Sequence, residues 1–251
     1  MGPPPPSARF ASVSRAPAIE LAPGVWRVPT APRDLVNTFV FVEDDGQVTL
    51  VDAGTKRAPK KVMAGLAHIG VAPDDVTRLL VTHAHPDHVG GLSSLRGRTG
   101  ATVAVHERDA AYVREGKGPV LDHSTLGGRL MRRKGKSAPT PVDDELVDGQ
   151  VLDVAGGLRV LHTPGHTPGH IALLHEPSRV LITGDSVWNA FNRMRWPFGW
   201  WCTDAGLNRR TASALADADY DVAAFTHGPE IRDRARETVR GWLADRSVTA
   251  G

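Results

Sequence analysis

Cysteine is almost missing from this chain: Cys202 is the only one in 251 residues. An internal disulfide and a thiolate-rich structural zinc site are thereby excluded, so any metal must be held by histidine and carboxylate. Long apolar runs are missing too. No stretch approaches the roughly 20 residues needed to span a bilayer, and the opening MGPPPPSARFASVSRAPA lacks the apolar core of a secretory signal. The expectation is a cytoplasmic protein in a reducing compartment with no membrane partner. Charge of one sign is equally scarce, because 30 Lys+Arg against 28 Asp+Glu leave +2. That balance argues against bulk electrostatic attraction to nucleic acid. Aromatic residues make up 6% of the chain, yet Trp188, Trp196, Trp200 and Trp201 crowd into one short stretch. What the sequence does have is an ordinary globular balance, 41% hydrophobic and 23% charged, with 26 Gly and 19 Pro that call for a turn-rich fold.

Residues 1–18, with the run Pro3 to Pro6, read as a disordered polyproline-type tail. From Ile19 onward short apolar runs alternate with helical patterns. The runs are Thr38 to Glu43, Gln47 to Val51, Arg78 to Thr82, Ala101 to Val105, Leu158 to Leu161, Val180 to Thr183 and Asp221 to Thr226. A helical window covers Lys60 to Ile69. Gly228-Pro229-Glu230 with Ile231, Ala235, Val239 and Trp242 predicts a closing helix with Pro in its first turn. This is an α/β chain, and no linker divides residues 19–251, so one domain is expected. Seven basic residues between Arg114 and Lys136 face Glu115 and Asp122, net +5, and the acidic run Asp143, Asp144, Glu145, Asp148 follows. The two stretches read either as solvated, complementary faces or as an anion-steering lid.

The strongest chemical signal is Thr82-His83-Ala84-His85-Pro86-Asp87-His88, directly after an apolar strand. Four ligand-type side chains in six residues cannot all serve one ion. His83 and His85 share a side because extended residues alternate, while Asp87 and His88 fall on the next turn and can address a second ion about 3.5 to 4 Å from the first. Further ligands should come from other strand ends. His166 follows the strand Arg159 to Leu161, Asp185 ends Val180 to Gly184, and His227 ends Val222 to Thr226, each beside Gly165, Gly184 or Gly228. That makes seven ligands for two ions.

With these motifs in place, the chain resembles the metallo-β-lactamase superfamily of metallohydrolases, its glyoxalase II-like branch above all. The resemblance runs from about Asn37 to His227 and includes Thr49 to Gly54 with its strand-end Asp52, THAHPDH, the doubled turn Pro164 to His170, TGD and the final THG. It implies a four-layer αβ/βα sandwich (the metallo-β-lactamase fold). It places metal one on His83, His85 and His166, metal two on Asp87, His88 and His227, and Asp185 between them. Asp52 and His170 would support the ligands from behind. Two Zn2+ suit these ligands, and iron or manganese suits them as well. The implied chemistry is hydrolysis of a small ester, thioester or lactone by a hydroxide held between two dications, with Asp87 orienting the nucleophile and Asp185 bridging.

Departures from the family shape the expected substrate. Glyoxalase II carries a further helical domain that holds glutathione, whereas 24 residues follow His227 here, so another acyl carrier is expected. Zinc β-lactamases with a cysteine ligand lack the bridging aspartate, which Asp185 supplies, so antibiotic hydrolysis is not the expected main activity. Acyl-homoserine lactonases carry a tyrosine where Trp188 stands. Trp188, Trp196, Phe198, Trp200 and Trp201 form either a substrate wall or packing in the core or a homodimer. One rival is a persulfide dioxygenase-like oxidoreductase holding a single iron on His83, His166 and Asp185. Another is a nuclease or nucleic-acid-binding member of the fold, supported by the basic segment alone. His68, His106, His123, His162 and His175 read as ordinary hydrogen-bonded or surface histidines, and Cys202 as a small buried apolar residue.

Overall fold

The computed structural model describes residues 16–121 and 136–247. Among the described residues twelve strands form two sheets. The first holds β1 (Ile19–Ala22), β2 (Val25–Pro29), β3 (Asn37–Val42), β4 (Val48–Val51), β5 (Val76–Val81), β6 (Thr102–His106) and β7 (Asp144–Leu146), in that order across the sheet. Its first pairings are antiparallel and those from β4 to β7 are parallel. The second sheet holds β8 (Val151–Leu152), β9 (Leu158–His162), β10 (Ile171–His175), β11 (Val180–Ile182) and β12 (Val222–Ala224). Only β11 and β12 pair in parallel there. The helices are α1 (Pro59–His68), α2 (Pro86–Val89), α3 (Leu92–Thr99), α4 (Glu107–Glu115), α5 (Ala205–Thr211), α6 (Ala214–Asp217) and α7 (Ala235–Ser247). No helix among the described residues is long and apolar enough to cross a membrane.

Period-two alternation sorts the strand residues into three apolar layers. In β3, Phe39 and Phe41 point between the sheets while Val40 points to the outer face covered by α1, α3 and α4. In β5, Leu80 joins the inner layer, and Leu79 and Val81 join the outer one. In β10, Ile171 and Leu173 meet the first sheet, whereas Ala172 and Leu174 face Leu215, Tyr220, Val239 and Leu243. Helices thus cover the outer face of each sheet and the sheets pack on each other, which is the expected αβ/βα sandwich.

Two sequence readings shift in detail. Ala18 is already buried in the outer core of the first sheet, so packing starts just before Ile19. The closing helix starts at Ala235, not around Pro229, because the Ile231 backbone is engaged elsewhere. Its N–H donates to Ala223 O at 2.8 Å and its carbonyl accepts from Ala223 N–H at 2.9 Å. Residues 122–135 lie outside the described residues, and with them His123, Arg129, Arg132, Arg133 and Lys134 of the basic segment. Of the remaining basic residues, Arg114 pairs with Glu145 at 2.6 Å and Lys117 with Glu115 at 2.8 Å.

Candidate metal centre

Every predicted ligand leaves the C-terminal end of a strand or the turn after it. β5 ends at Val81, and the next residues carry His83 and His85 on an extended turn. Pro86 then opens α2, as its fixed φ and missing N–H favour at a helix start, and this short helix presents Asp87 and His88. His166 stands in the turn between β9 and β10, Asp185 just after β11, and His227 just after β12. Gly228 has φ +116, and a Cβ there would lie 2.1 Å from Asn189 O, so only glycine lets the chain turn away from His227 this tightly.

The side chains converge. His83, His85 and His166 form one compact group, Asp87, His88 and His227 a second, and His83, His88 and Asp185 a third that overlaps both. Asp185 Oδ2 lies 3.1 Å from His166 Nε2 and 3.2 Å from His227 Nε2, and Oδ1 lies 3.6 Å from His88 Nε2. His227 Nε2 is also 3.4 Å from Asp87 Oδ2. His83, His88 and His166 are fully buried, while the Asp87 side chain stays 25% exposed and opens the site to solvent. His83 Nε2, His85 Nε2, His88 Nε2, His227 Nε2 and Asp87 Oδ1 are buried without a hydrogen-bond partner among the described residues. Orphaned lone pairs from imidazole and carboxylate, gathered at one point, are the donor set a divalent cation requires.

Burial pushes His83 and His85 well below the ordinary histidine range, with neighbouring histidines adding to it. Burial also opposes protonation of His88, but Asp185, Asp52 and Asp87 together outweigh it and raise its pKa to about 10. His227 is raised against the same opposition by Asp185 and Asp87. The Asp185 carboxyl is held well below its usual range, despite burial, by His227, His88 and His166. The pocket therefore carries buried negative charge on Asp185 that needs cations, whether protons or metals, to balance it.

A supporting layer fixes the candidate ligands. Asp52 accepts from Thr82 N–H at 2.8 Å and from His88 Nδ1–H at 2.8 Å, which leaves His88 Nε2 as the free lone pair. Thr226 Oγ1 donates to Asp185 Oδ1 at 2.6 Å. His170 binds the Asp185 backbone and is not in any of the ligand groups. Asn37 Nδ2 reaches Phe225 O at 2.9 Å and Gly228 O at 2.8 Å, and His227 Nδ1 donates to Leu35 O, so the turn bearing His227 is tied to the first sheet. Cys202 is buried with Sγ 3.4 Å from His166 Nδ1, a closer tie to the centre than an apolar filler implies. Sequence reasoning missed Asp109. This buried carboxylate accepts from Ala84 N–H, Thr167 Oγ1 and Gly169 N–H at 2.9, 2.7 and 2.7 Å, joining the His83–His85 turn to the His166–His170 turn.

The aromatic stretch divides. The Trp188 ring lies 4.7 Å from the His227 ring and 5.5 Å from Phe198, which stacks on Trp200 at 5.3 Å. Trp201 sits 6.3 Å from His85. Trp196 instead packs on Trp242 of α7, 4.7 Å between ring centres, with the outer core of the second sheet. His106, His162 and His175 are hydrogen-bonded to neighbouring groups, as expected of histidines outside the centre.

Comparisons with known proteins agree with this geometry. The family model of the metallo-beta-lactamase superfamily matches residues 31–227. The probable metallo-hydrolase YybB of Bacillus subtilis is 26% identical, over 76% of this chain and 80% of its own length. A hydroxyacylglutathione hydrolase of Rhodopseudomonas palustris is 31% identical over 65% of this chain, and the match spans about half, 52%, of that protein. Among solved structures, a metallo-beta-lactamase family protein from Thermus thermophilus superposes with a TM-score of 0.67 at 29% identity, covering 92% of this chain and 85% of its own. A metallo-beta-lactamase from Cronobacter sakazakii reaches 0.70 at 19% identity over 92% and 98% of the two chains, a likeness of fold.

Proposed function

The chain belongs to the metallo-beta-lactamase superfamily, and on that premise we propose that it is a metal-dependent hydrolase of a small ester, thioester or lactone that works with two divalent cations. One observation carries the reading: a single carboxylate oxygen, Asp185 Oδ2, lies within 3.2 Å of a histidine nitrogen from each of the two ligand groups. His83, His85 and His166 would hold one cation, and Asp87, His88 and His227 the other. Two cations held there would supply an acidified water as nucleophile and a Lewis acid for the scissile carbonyl.

The chain's own residues do the rest. Asp87 is the ligand open to solvent and has a free buried Oδ1, so it can accept a hydrogen bond from the attacking water and orient it. Asp185 offsets the charge repulsion of two cations at short range. Asp52 fixes the His88 ring through its Nδ1–H. Trp188, Phe198 and Trp200 form an apolar shelf beside His227 against which an acyl group can lie. Zinc suits the all-imidazole-and-carboxylate donor set, as do iron and manganese.

Elemental analysis of the purified protein, followed by a panel of aryl esters, thioesters and lactones, tests this reading. Two metals per chain with turnover of at least one acyl class are expected. One iron per chain with oxygen-dependent oxidation of a persulfide overturns it. Asp87→Asn should retain the fold and lose orders of magnitude in rate even at saturating metal.

A further inference from the structure

Two loops that carry arginine close on His227. Its Nδ1 donates to Leu35 O, two residues after Arg33, and its backbone carbonyl accepts from Asn189 N–H at 2.9 Å, in the segment that runs on to Arg193 and Arg195. Ser186 to Thr203 holds these two cations and no carboxylate. In the other loop Asp34 is buried against Arg27, 3.5 Å away. Glu230, the next carboxylate along, is bound by Arg27 at 2.8 Å and by Arg232 at 3.2 Å. Arg27, Arg33, Arg193, Arg195 and Arg232 thus face Asp34 and Glu230, five against two, a surplus of three positive charges. Within the centre, Asp52, Asp87 and Asp185 are matched by His88, His166 and His227. The far ends of β9 and β11 differ: Arg159 and Arg179 there are each paired, with Glu176 at 2.7 Å and Asp221 at 2.8 Å.

The backbone fixes where Arg195 points. Trp188 and Arg195 exchange both main-chain hydrogen bonds, at 3.0 and 2.9 Å, so as directly opposed residues of an antiparallel ribbon they project their side chains from one face. On that face the Trp188 ring lies 4.7 Å from the His227 ring, and Phe198 meets Trp188 edge-on at 5.5 Å. The Arg195 guanidinium carbon lies over the Phe191 ring, 5.9 Å from its centre, and Phe191 is 53% exposed. Contact through the flat face of a guanidinium leaves its N–H edge free. Arg195 is half-buried, with solvent access, and has no carboxylate partner among the described residues.

An acyl chain leaving the metal centre along Trp188 therefore meets first an apolar surface and then an unpaired guanidinium. We propose that the substrate is an ω-carboxyacyl ester or thioester, the half ester of a dicarboxylic acid, whose methylenes lie on Trp188 and Phe198 and whose free carboxylate pairs with Arg195. This assignment rests on the hydrolysis proposed above and names its acyl class. The planar fork of arginine matches the two oxygens of a carboxylate with two parallel N–H bonds. Arg33 and Arg193, both exposed, add to the positive potential that draws such an anion to the site. Hydrolysis adds water to the acyl carbon and breaks its C–O or C–S bond, releasing the dicarboxylate, the alcohol or thiol, and one proton.

Monophenyl adipate and phenyl hexanoate differ only at the chain end and test the proposal on the metal-loaded full chain. The adipyl ester should exceed the hexanoyl ester in kcat/KM about tenfold, as one charge-assisted pairing allows. Arg195→Gln should bring the ratio close to one and Arg195→Lys should restore part of it. Arg98→Gln, which removes the same charge from the exposed side of α3, should keep the ratio of the parent. Calorimetric titration of adipate and of hexanoate reads the same discrimination without turnover. Adipate bound more tightly than hexanoate in the parent but not in Arg195→Gln, with no ester turned over, would retain Arg195 as a carboxylate site and sink the hydrolytic reading instead. Equal affinity for the two acids in the parent, or a preference for the adipyl chain that survives in Arg195→Gln, overturns the proposal while leaving ester hydrolysis intact.

Discussion

His170 accepts the backbone N–H of Asp185 on Nε2 at 2.6 Å while its Nδ1 donates to the Thr163 carbonyl oxygen at 3.0 Å. The second histidine of the doubled turn therefore grips the backbone of the central carboxylate from behind. Burial, aided by the charge of His166, lowers its pKa to about 3 and keeps the ring neutral, as an acceptor must be. Gly184 completes the fit. Its φ is +53, and a Cβ would lie 2.5 Å from His170 Nε2. Replacing His170 by Ala strands a buried N–H, which costs about 1 to 3 kcal/mol, and should weaken metal binding about 10- to 100-fold by releasing a ligand. Denaturant unfolding and a metal titration read the two effects separately. Unchanged metal affinity would show that Asp185 does not need this anchor.

Asp185 itself is predicted to be indispensable. Asp185→Ala removes the one carboxylate shared between the ligand groups, so metal content should fall and turnover should vanish. The measurement is metal content and rate on the same folded preparation. Full activity in a metal-loaded variant sinks the two-cation mechanism.

Asp109 tests whether a residue outside the ligand set controls the centre. Its two oxygens serve three donors from two ligand-bearing turns. Burial raises its pKa, and the bonds from Thr167, Ala84 and Gly169 hold that rise in check. Asp109→Asn turns an acceptor into an amide donor facing other donors. A loss of about 1 to 3 kcal/mol in stability is expected, with metal affinity reduced about 10-fold or more. Asp109→Ala, which leaves room for water, should retain more metal than Asp109→Asn.

Asp109 also marks where the sequence stops being readable. His83, His85, Asp87, His88, His166, Asp185 and His227 stand at strand ends beside small residues, and that local pattern is visible in one dimension. The α/β class was legible in the run of strands and helices, but the sandwich itself was implied only by the family resemblance; the alternation in β3, β5 and β10 that separates inner from outer faces becomes readable once the two sheets are in place. Glu107-Arg108-Asp109 reads as a charged first helical turn, and nothing local says that α4 aims one carboxylate inward at turns 25 and 60 residues away. The late start of α7 was hidden too, because the bridge of Ile231 to Ala223 is a tertiary contact that overrides the helical spacing of the apolar residues.

His106 caps α4, its Nδ1 accepting from Arg108 N–H at 3.3 Å, and stacks on His162 with ring centres 4.0 Å apart. Burial, then the charges of His162 and Arg108, lower its pKa from 6.5 to about 4. The folded state thus binds fewer protons than the unfolded chain between these values. The contribution is complete above pH 6.5 and is lost as pH falls through about 4. His106→Asn keeps a capping acceptor without a titrating group. Relative to the parent protein, its melting temperature should fall less between pH 6.5 and pH 4. Parallel curves for the two proteins would assign the acid sensitivity elsewhere.

The aromatic stretch gives a prediction with an internal control. Trp188, Phe198 and Trp200 form a continuous ring surface beginning 4.7 Å from His227, and Phe198 is half exposed at its outer edge. Trp196 comes from the same stretch but packs on Trp242. If the shelf holds the acyl chain, each methylene laid on it contributes up to about 0.8 kcal/mol. Trp200→Ala should then lower kcat/KM for a hexanoyl ester about 5- to 30-fold more than for the acetyl ester, a differential of about 1 to 2 kcal/mol. Metal content should stay constant. Trp196→Ala should instead lower stability and scale all esters alike, because it loosens the contact with α7 far from any acyl group. Equal losses across chain lengths in Trp200→Ala, or dissociation of an oligomer, would move the shelf from substrate contact to packing.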